Sequence, residues 1–275
     1  MTTEEFIGKI PFAAKARALN FLDCGLVAIY KGHGIMAHPN PSKSSFSQVA
    51  IVRAKYNLSG EYFSWIDPES GQKMRLHLIN RLDSPTSGII LAATNSATAN
   101  AVKKAFKEKS VKKTYYAVCA GRTLLKEGMW SDNIVVKKSP GFVRSSSAKP
   151  ADQVSTRKAV SKFSLVKIDS NDLLFSLLKL EPITGRTHQL RMQCAKHKLP
   201  IIGDATYGNF KLNKDIRLIT GENRMFLHCA GIELDFKLND EAFSFKAEAP
   251  LPKSFDMLLE PNGKLQLYKQ QIRGV

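Results

Sequence analysis

The chain has 275 residues, 43% of them apolar, and a formal net charge of +17 with a pI near 9.7. That is enough to bury a sizeable core, as one large domain or two small ones, and the charge draws polyanions, nucleic acid ahead of an anionic membrane surface. Cys24, Cys119, Cys194 and Cys229 stand singly, no H-E-x-x-H occurs among the six histidines and no run of about 18 apolar residues appears. These features argue against a zinc ribbon, a disulfide framework, a catalytic metal and a membrane span, and the expectation is a cytoplasmic protein with free thiols. In chain order, MTTEEFIGKIPF carries two acids and no long apolar stretch, unlike a targeting peptide. Leu26 to Tyr30 (LVAIY) reads as a strand closed by KGHG, and Gly88 to Thr94 (GIILAAT) as a buried one. A helix is predicted over NSATANAVKKAFKEKS, with Thr98, Val102, Ala105 and Phe106 on one face and Asn95 or Ser96 as its cap. Thr114 to Ala120 (TYYAVCA), Leu173 to Leu180 (LLFSLLKL) and Phe243 to Ala247 complete the strands, and a second helix runs from Thr187 to about His197. Lys137 to Ser155, rich in Ser, Pro and Lys, reads as a long surface loop. Several strands with few helices suggest an α+β domain rather than an alternating βαβ chain.

The positive charge is concentrated. Between Lys103 and Lys158 fourteen Lys/Arg stand against four Asp/Glu, a net of +10 within about a fifth of the chain. A charge run is ordinarily a solvated face, but an imbalance of this size favours RNA contact.

Two segments carry chemistry. In Asn80 to Gly88, NRLDSPTSG, the acid Asp83 sits on a loop between two strands, where the backbone can fix a reactive group. Alone, it reads as an Asx-turn aspartate bonded to nearby N–H groups. In Glu181 to Gly208, EPITGRTHQLRMQCAKHKLPIIGDATYG, a strand ends at Pro182, Thr184 and Gly185 turn, and Arg186 precedes the second helix. Leu190 and Cys194 then share one helical face, while Arg191 points elsewhere, free to meet phosphate. Gly203 and Asp204 read as one more turn.

RLDSPTSG, the KTYYAVCAG strand and TGRTHQLR with PIIGDATYG resemble, in order and spacing, the RluA-like RNA pseudouridine synthases. IYKGHGIMAHP, FLHCAGIEL and APLP are weaker echoes, and the resemblance covers about Leu26 to Pro252. It implies the pseudouridine synthase catalytic fold, a mixed, mostly antiparallel sheet with flanking helices and a central cleft, as a single domain. No S4-type RNA-binding module is expected ahead of the first strand. It also implies an isomerase that converts uridines of tRNA or large-subunit rRNA without a cofactor, expected here as a monomer. The catalytic residues it implies are Asp83 as nucleophile, Tyr115 packing on the uracil and moving a proton, and Arg186 pairing with the Asp83 carboxylate. For substrate binding it implies Arg81, filling the stack that the flipped uridine leaves, and Leu190, on the other face of the base. Arg191 and the basic Lys103, Lys104 and Lys107 are the expected phosphate contacts. An ionised carboxylate in a pocket that excludes water is costly unless a cation accompanies it, hence the arginine beside Asp83. A non-catalytic RNA-binding protein that kept this fold would have been favoured by loss of Asp83, Tyr115 or Arg186, and all three are present. Two departures stand out: Asn80 where the family has His, expected to preserve the loop through local hydrogen bonds, and Gly32 where it has Pro, expected to loosen one turn.

Overall fold

A computed structural model describes residues 1–39, 49–137 and 154–273. The elements in order are α1 (Thr3–Gly8), β1 (Ala16–Phe21), β2 (Leu26–Lys31), β3 (Lys55–Asn57), β4 (Tyr62–Ile66), β5 (Lys73–Leu78), β6 (Ser87–Ala93), α2 (Ser96–Glu108), β7 (Lys112–Ala120), β8 (Glu127–Lys137), β9 (Val154–Ile168), β10 (Phe175–Pro182), α3 (Gln189–Lys196), α4 (Phe210–Thr220), β11 (Leu227–Leu238), β12 (Glu241–Glu248), α5 (Asp256–Leu259) and α6 (Gly263–Arg273). The five expected strands are β2, β6, β7, β10 and β12. All twelve strands join one sheet in the order β3-β4-β5-β6-β11-β7-β10-β9-β8, with β2 and β1 branching from β6 and β12 from β11.

The middle of this sheet decides where the cleft lies. Every residue of β6 is buried, which is why its sequence is a continuous apolar run rather than an alternation. β6 meets β11 in the only parallel pairing between named strands among the described residues, with Gly88 opposite Cys229. At Gly88 φ is +119°, and a Cβ there would come within 2.1 Å of the Cys229 carbonyl oxygen, so only glycine lets the strands approach. α2 packs over this junction. Its Asn95 side chain accepts from the Thr98 N–H at 2.9 Å, the expected cap.

One apolar cluster fills the β1–β6 half, and two others cover opposite faces of β7 and β10. Along β7, Ala117 and Cys119 join Leu190 and Cys194 on one face, while Val118 lies on the other with Tyr116 and Ala120 against it. Tyr115 touches both the first cluster and the α3-side cluster, placing it at the seam between the two halves.

The loop predicted for Lys137 to Ser155 falls, over 138–153, outside the described residues; Lys137 and Val154 at its ends are register partners in β8 and β9. Gly32 does not loosen its turn. Its N–H donates to the Lys15 carbonyl at 2.7 Å, a bond that proline could not make.

Candidate active site

Asp83 stands on the loop between β5 and β6, and that loop is tied from three sides. The Asn80 side chain accepts from the Leu91 N–H at 2.6 Å, as expected of an asparagine here. The Asp83 carbonyl closes a turn with the Thr86 N–H. From below, the Ser84 carbonyl accepts from the Gly34 N–H at 2.9 Å and from the Lys31 ammonium at 3.2 Å. Lys31 is wholly buried, and its Nζ also donates to the carbonyls of Gly32 and Ile35. Burial pushes Lys31 down to about 7, while the Asp83 charge works the other way. A buried lysine amine surrounded by carbonyls thus holds the loop that presents Asp83.

The cleft above has a volume of about 710 Å³. Asp83, Tyr115, Arg186, Leu190, Arg191 and Arg81 all line it. The pairing inferred from the sequence is corrected, however. The guanidinium beside Asp83 belongs to Arg191, whose Nη1 lies 3.1 Å from Asp83 Oδ2, and not to Arg186. Arg186 sits at the rim on the turn before α3, with its Nε donating to the Lys158 carbonyl at 3.4 Å. Among the described residues no carboxylate lies within ion-pair distance of it. The reason is local geometry. His188 takes a left-handed conformation, φ 54°, and α3 starts only at Gln189, so Arg186 stays on the turn while Arg191 rides on the helix.

Arg191 is therefore not free to meet phosphate. Its side chain is 5% exposed, and Asp204, wholly buried, accepts from Nε at 2.7 Å and from Nη2 at 2.8 Å. Thr206 Oγ1 takes a further bond from Nη2 at 3.1 Å. Burial raises the Asp204 carboxyl, but the Arg191 guanidinium and the Thr206 and Tyr207 N–H groups outweigh it and hold the group below the usual carboxylate range. Asp204 reaches this position through Gly203, φ +79°, where a Cβ would fall 1.8 Å from the Arg224 carbonyl oxygen. The turn read at Gly203 and Asp204 thus delivers the buried acid that orients the arginine, and Asp204 had no assigned role in the sequence reading. An acid one glycine beyond the apolar run Pro200-Ile201-Ile202 was the signal available, since a buried carboxylate needs a buried partner.

His188 Nε2 lies 3.6 Å from Asp83 Oδ2, and its Nδ1 lies 3.1 Å from the Tyr207 hydroxyl. Asp83 Oδ1 has no hydrogen-bond partner among the described residues, so one carboxylate oxygen is held and the other is open. Across β7 and β11, Tyr115 is the register partner of Cys229. Burial, then Cys229 and Asp83, push the Tyr115 hydroxyl well above its ordinary value, so it is a neutral phenol at pH 7. Lys113, two residues earlier on the same face, also lines the cleft, and burial pushes its ammonium down.

Lys103, Lys104 and Lys107 lie on α2 outside the cleft lining. Two of them have acidic neighbours: Lys103 Nζ is 2.7 Å from Glu61 and Lys104 Nζ 3.9 Å from Glu108. On α4, Lys211, Lys214 and Arg217 are exposed and make no ion pair among the described residues. No cluster of three or more metal-ligating side chains occurs among the described residues, and no helix among them is long and apolar enough to cross a membrane.

Residues 25–196 match the RNA pseudouridylate synthase family. Over 178 residues the chain is 33% identical to the tRNA pseudouridine synthase C of Yersinia pestis, covering 62% of this chain and 68% of that one. Over 197 residues it is 34% identical to the ribosomal large subunit pseudouridine synthase C of Rickettsia bellii, covering 72% of this chain but only 61% of that one. The structure of the human RNA pseudouridylate synthase domain containing 1 aligns over 94% of this chain and 95% of its own, with a TM-score of 0.60 at 20% identity, a likeness of fold. With the family matched over more than half of its length, the chain belongs to the RNA pseudouridylate synthases, a family of isomerases, and to their RluA-like group.

Proposed function

We propose that this protein isomerises a uridine of a structured RNA, a tRNA or large-subunit rRNA, to pseudouridine, with Asp83 as the nucleophile. The observation that carries the reading is the open oxygen of Asp83 in a cleft between Tyr115 and Leu190, its other oxygen held by Arg191. The reaction breaks N1–C1′, turns the uracil and joins C5 to C1′; N1 gains a proton and C5 loses one, so the net change is an isomerisation. The ionised carboxylate attacks the sugar or the base, or takes the 2′ proton, and Arg191 compensates its charge once bound RNA displaces water from the cleft.

The target base must leave its stack, at a cost of a few kcal/mol. Packing on Tyr115 returns part of this, about 1–3 kcal/mol for an aromatic face. Leu190 closes the opposite side, and Arg81 at the mouth enters the vacated stack. As a neutral phenol, Tyr115 takes part in moving the C5 proton only as a relay, giving its own proton up as it receives another. The backbone is gripped by surface cations outside the cleft lining, Lys103, Lys104 and Lys107 on α2 and Lys211, Lys214 and Arg217 on α4. We further propose that the enzyme acts in the cytoplasm, as a monomer and without a cofactor, in keeping with its free thiols and its charge. The test is to map pseudouridines in tRNA and rRNA from cells with and without the gene. One or a few uridines should lose the modification and regain it on adding purified protein, and unchanged maps would refute the proposal.

A further inference from the structure

Arg81 at the cleft mouth is not a loose surface cation. Its Nη1 lies 2.7 Å from Nε2 of His38, and the other ring nitrogen, Nδ1, lies 2.8 Å from the Pro39 carbonyl oxygen. A guanidinium only donates and a carbonyl only accepts. Nδ1 must then carry the hydrogen and Nε2 must be bare, so this bonding requires a neutral imidazole in one tautomer. The surroundings favour that state: burial first, then the Arg81 charge, lower His38 below its ordinary value despite the Pro39 carbonyl and Glu61. The ring is also mounted on the sheet. It stacks on Tyr56 with centroids 5.4 Å apart and planes at 24°, and Tyr56 rests on the buried Phe63. Among the described residues the charged and titratable groups around it are Arg81, Tyr56 and Glu61, and Lys103 already engages Glu61.

We infer that His38 is a positioning residue that holds the Arg81 guanidinium on a fixed acceptor, ready to enter the stack from which the target base is drawn. The inference rests on the role of Arg81 proposed above. A long side chain ordered before the RNA arrives does not have to be ordered by it, so the gain lies in productive base extrusion rather than in folding. The arrangement also has a protonation limit. Once Nε2 takes a proton, the contact becomes cation against cation, and Arg81 is released.

The test is single-turnover pseudouridine formation by wild type, His38→Phe, His38→Gln, Arg81→Met and the His38→Phe/Arg81→Met double variant, from about pH 5 to pH 8, where imidazole titrates. His38→Phe keeps the stack on Tyr56 but has no acceptor. It should be slower by roughly 10-fold to 100-fold, the range expected when a reacting group's surroundings are misplaced, with its melting temperature nearly unchanged. His38→Gln, whose amide oxygen can accept from Arg81, should recover most of the rate, and both variants should lack the acid loss that wild type shows as His38 protonates. The double variant should be no slower than Arg81→Met alone, because both changes remove one function. A wild-type rate for His38→Phe beside a slow Arg81→Met, or additive losses in the double variant, overturns the inference and leaves the Arg81 role standing. A wild-type rate for Arg81→Met removes that role and the inference with it.

Discussion

Replacing Asp204 by Asn tests whether the buried acid orients Arg191. The two Asp204 oxygens are not equivalent. Oδ1 accepts from Arg191 Nη2 and from the N–H groups of Thr206 and Tyr207, while Oδ2 accepts only from Arg191 Nε, at 2.7 Å. The asparagine oxygen will keep the position with three donors, which points its NH₂ at Arg191 Nε, donor against donor. The lost charge-assisted bond is worth about 1.5–3 kcal/mol. Losing one partner of a buried pair also leaves an uncompensated charge, and the whole change costs about 3–5 kcal/mol. With each kcal/mol worth about 2–4 °C in a domain near this size, thermal unfolding should move down by roughly 6–20 °C. Turnover at a temperature where the variant is folded should fall more than stability alone explains. A guanidinium displaced from Asp83 by about 1 Å is expected to cost around 10²-fold. Thermal melting and single-turnover kinetics on saturating RNA measure the two effects separately. A variant with wild-type melting and wild-type turnover would refute the assignment of Asp204 as the group that orients Arg191.

Three further outcomes follow from the same geometry. Arg191→Met should abolish turnover, whereas Arg186→Met, which loses a rim contact, should cost less than about tenfold; the reverse order in single-turnover rates would restore Arg186 as the partner of Asp83. Burial above all pushes His228 down to about 4 from an ordinary 6.5, so between these values the unfolded chain binds a proton that the folded chain does not. Stability should therefore fall by about 3 kcal/mol as pH drops from 6.5 towards 4, and unfolding curves of His228→Gln should lack that slope; identical pH profiles would contradict the assignment. RNA affinity should weaken with salt by about 0.7–0.9 in slope per phosphate contact. Neutralising Lys211, Lys214 and Arg217 should lower that slope more than neutralising Lys103, Lys104 and Lys107, of which two have acidic neighbours; the opposite ranking would move the footprint to α2.

The parts of the fold legible in the sequence are those whose signal is local. The apolar run of β6, the helical spacing and asparagine cap of α2, and the alternation that sends Tyr115 to the cleft and Tyr116 to the opposite layer all follow from neighbours in the chain. β8 and β9 were missed because their inward positions include Asp132 and Ser161, polar residues where a strand pattern calls for apolar ones. Both are satisfied from α3: Gln193 accepts from Ser161 at 2.7 Å and donates to Asp132 at 3.0 Å. A partner more than thirty residues away leaves no periodic trace. The cleft shows the same division. The position of Asp83 is local, whereas the choice between Arg186 and Arg191 depends on where α3 begins and on Asp204, brought in by a glycine turn from beyond the helix. Gly32 misled for a related reason, since the carbonyl that accepts its N–H belongs to Lys15, on the approach to another strand.

The most direct test of the account is Asp83→Asn assayed by tritium release from RNA carrying 5-tritiated uridine. The substitution keeps the shape of the side chain and removes the anion that stands against Arg191 at 3.1 Å. The account predicts no release above background, with RNA affinity and melting temperature close to wild type. Substantial tritium release by the purified Asn variant would contradict it, and the nucleophile would have to be sought elsewhere in the cleft.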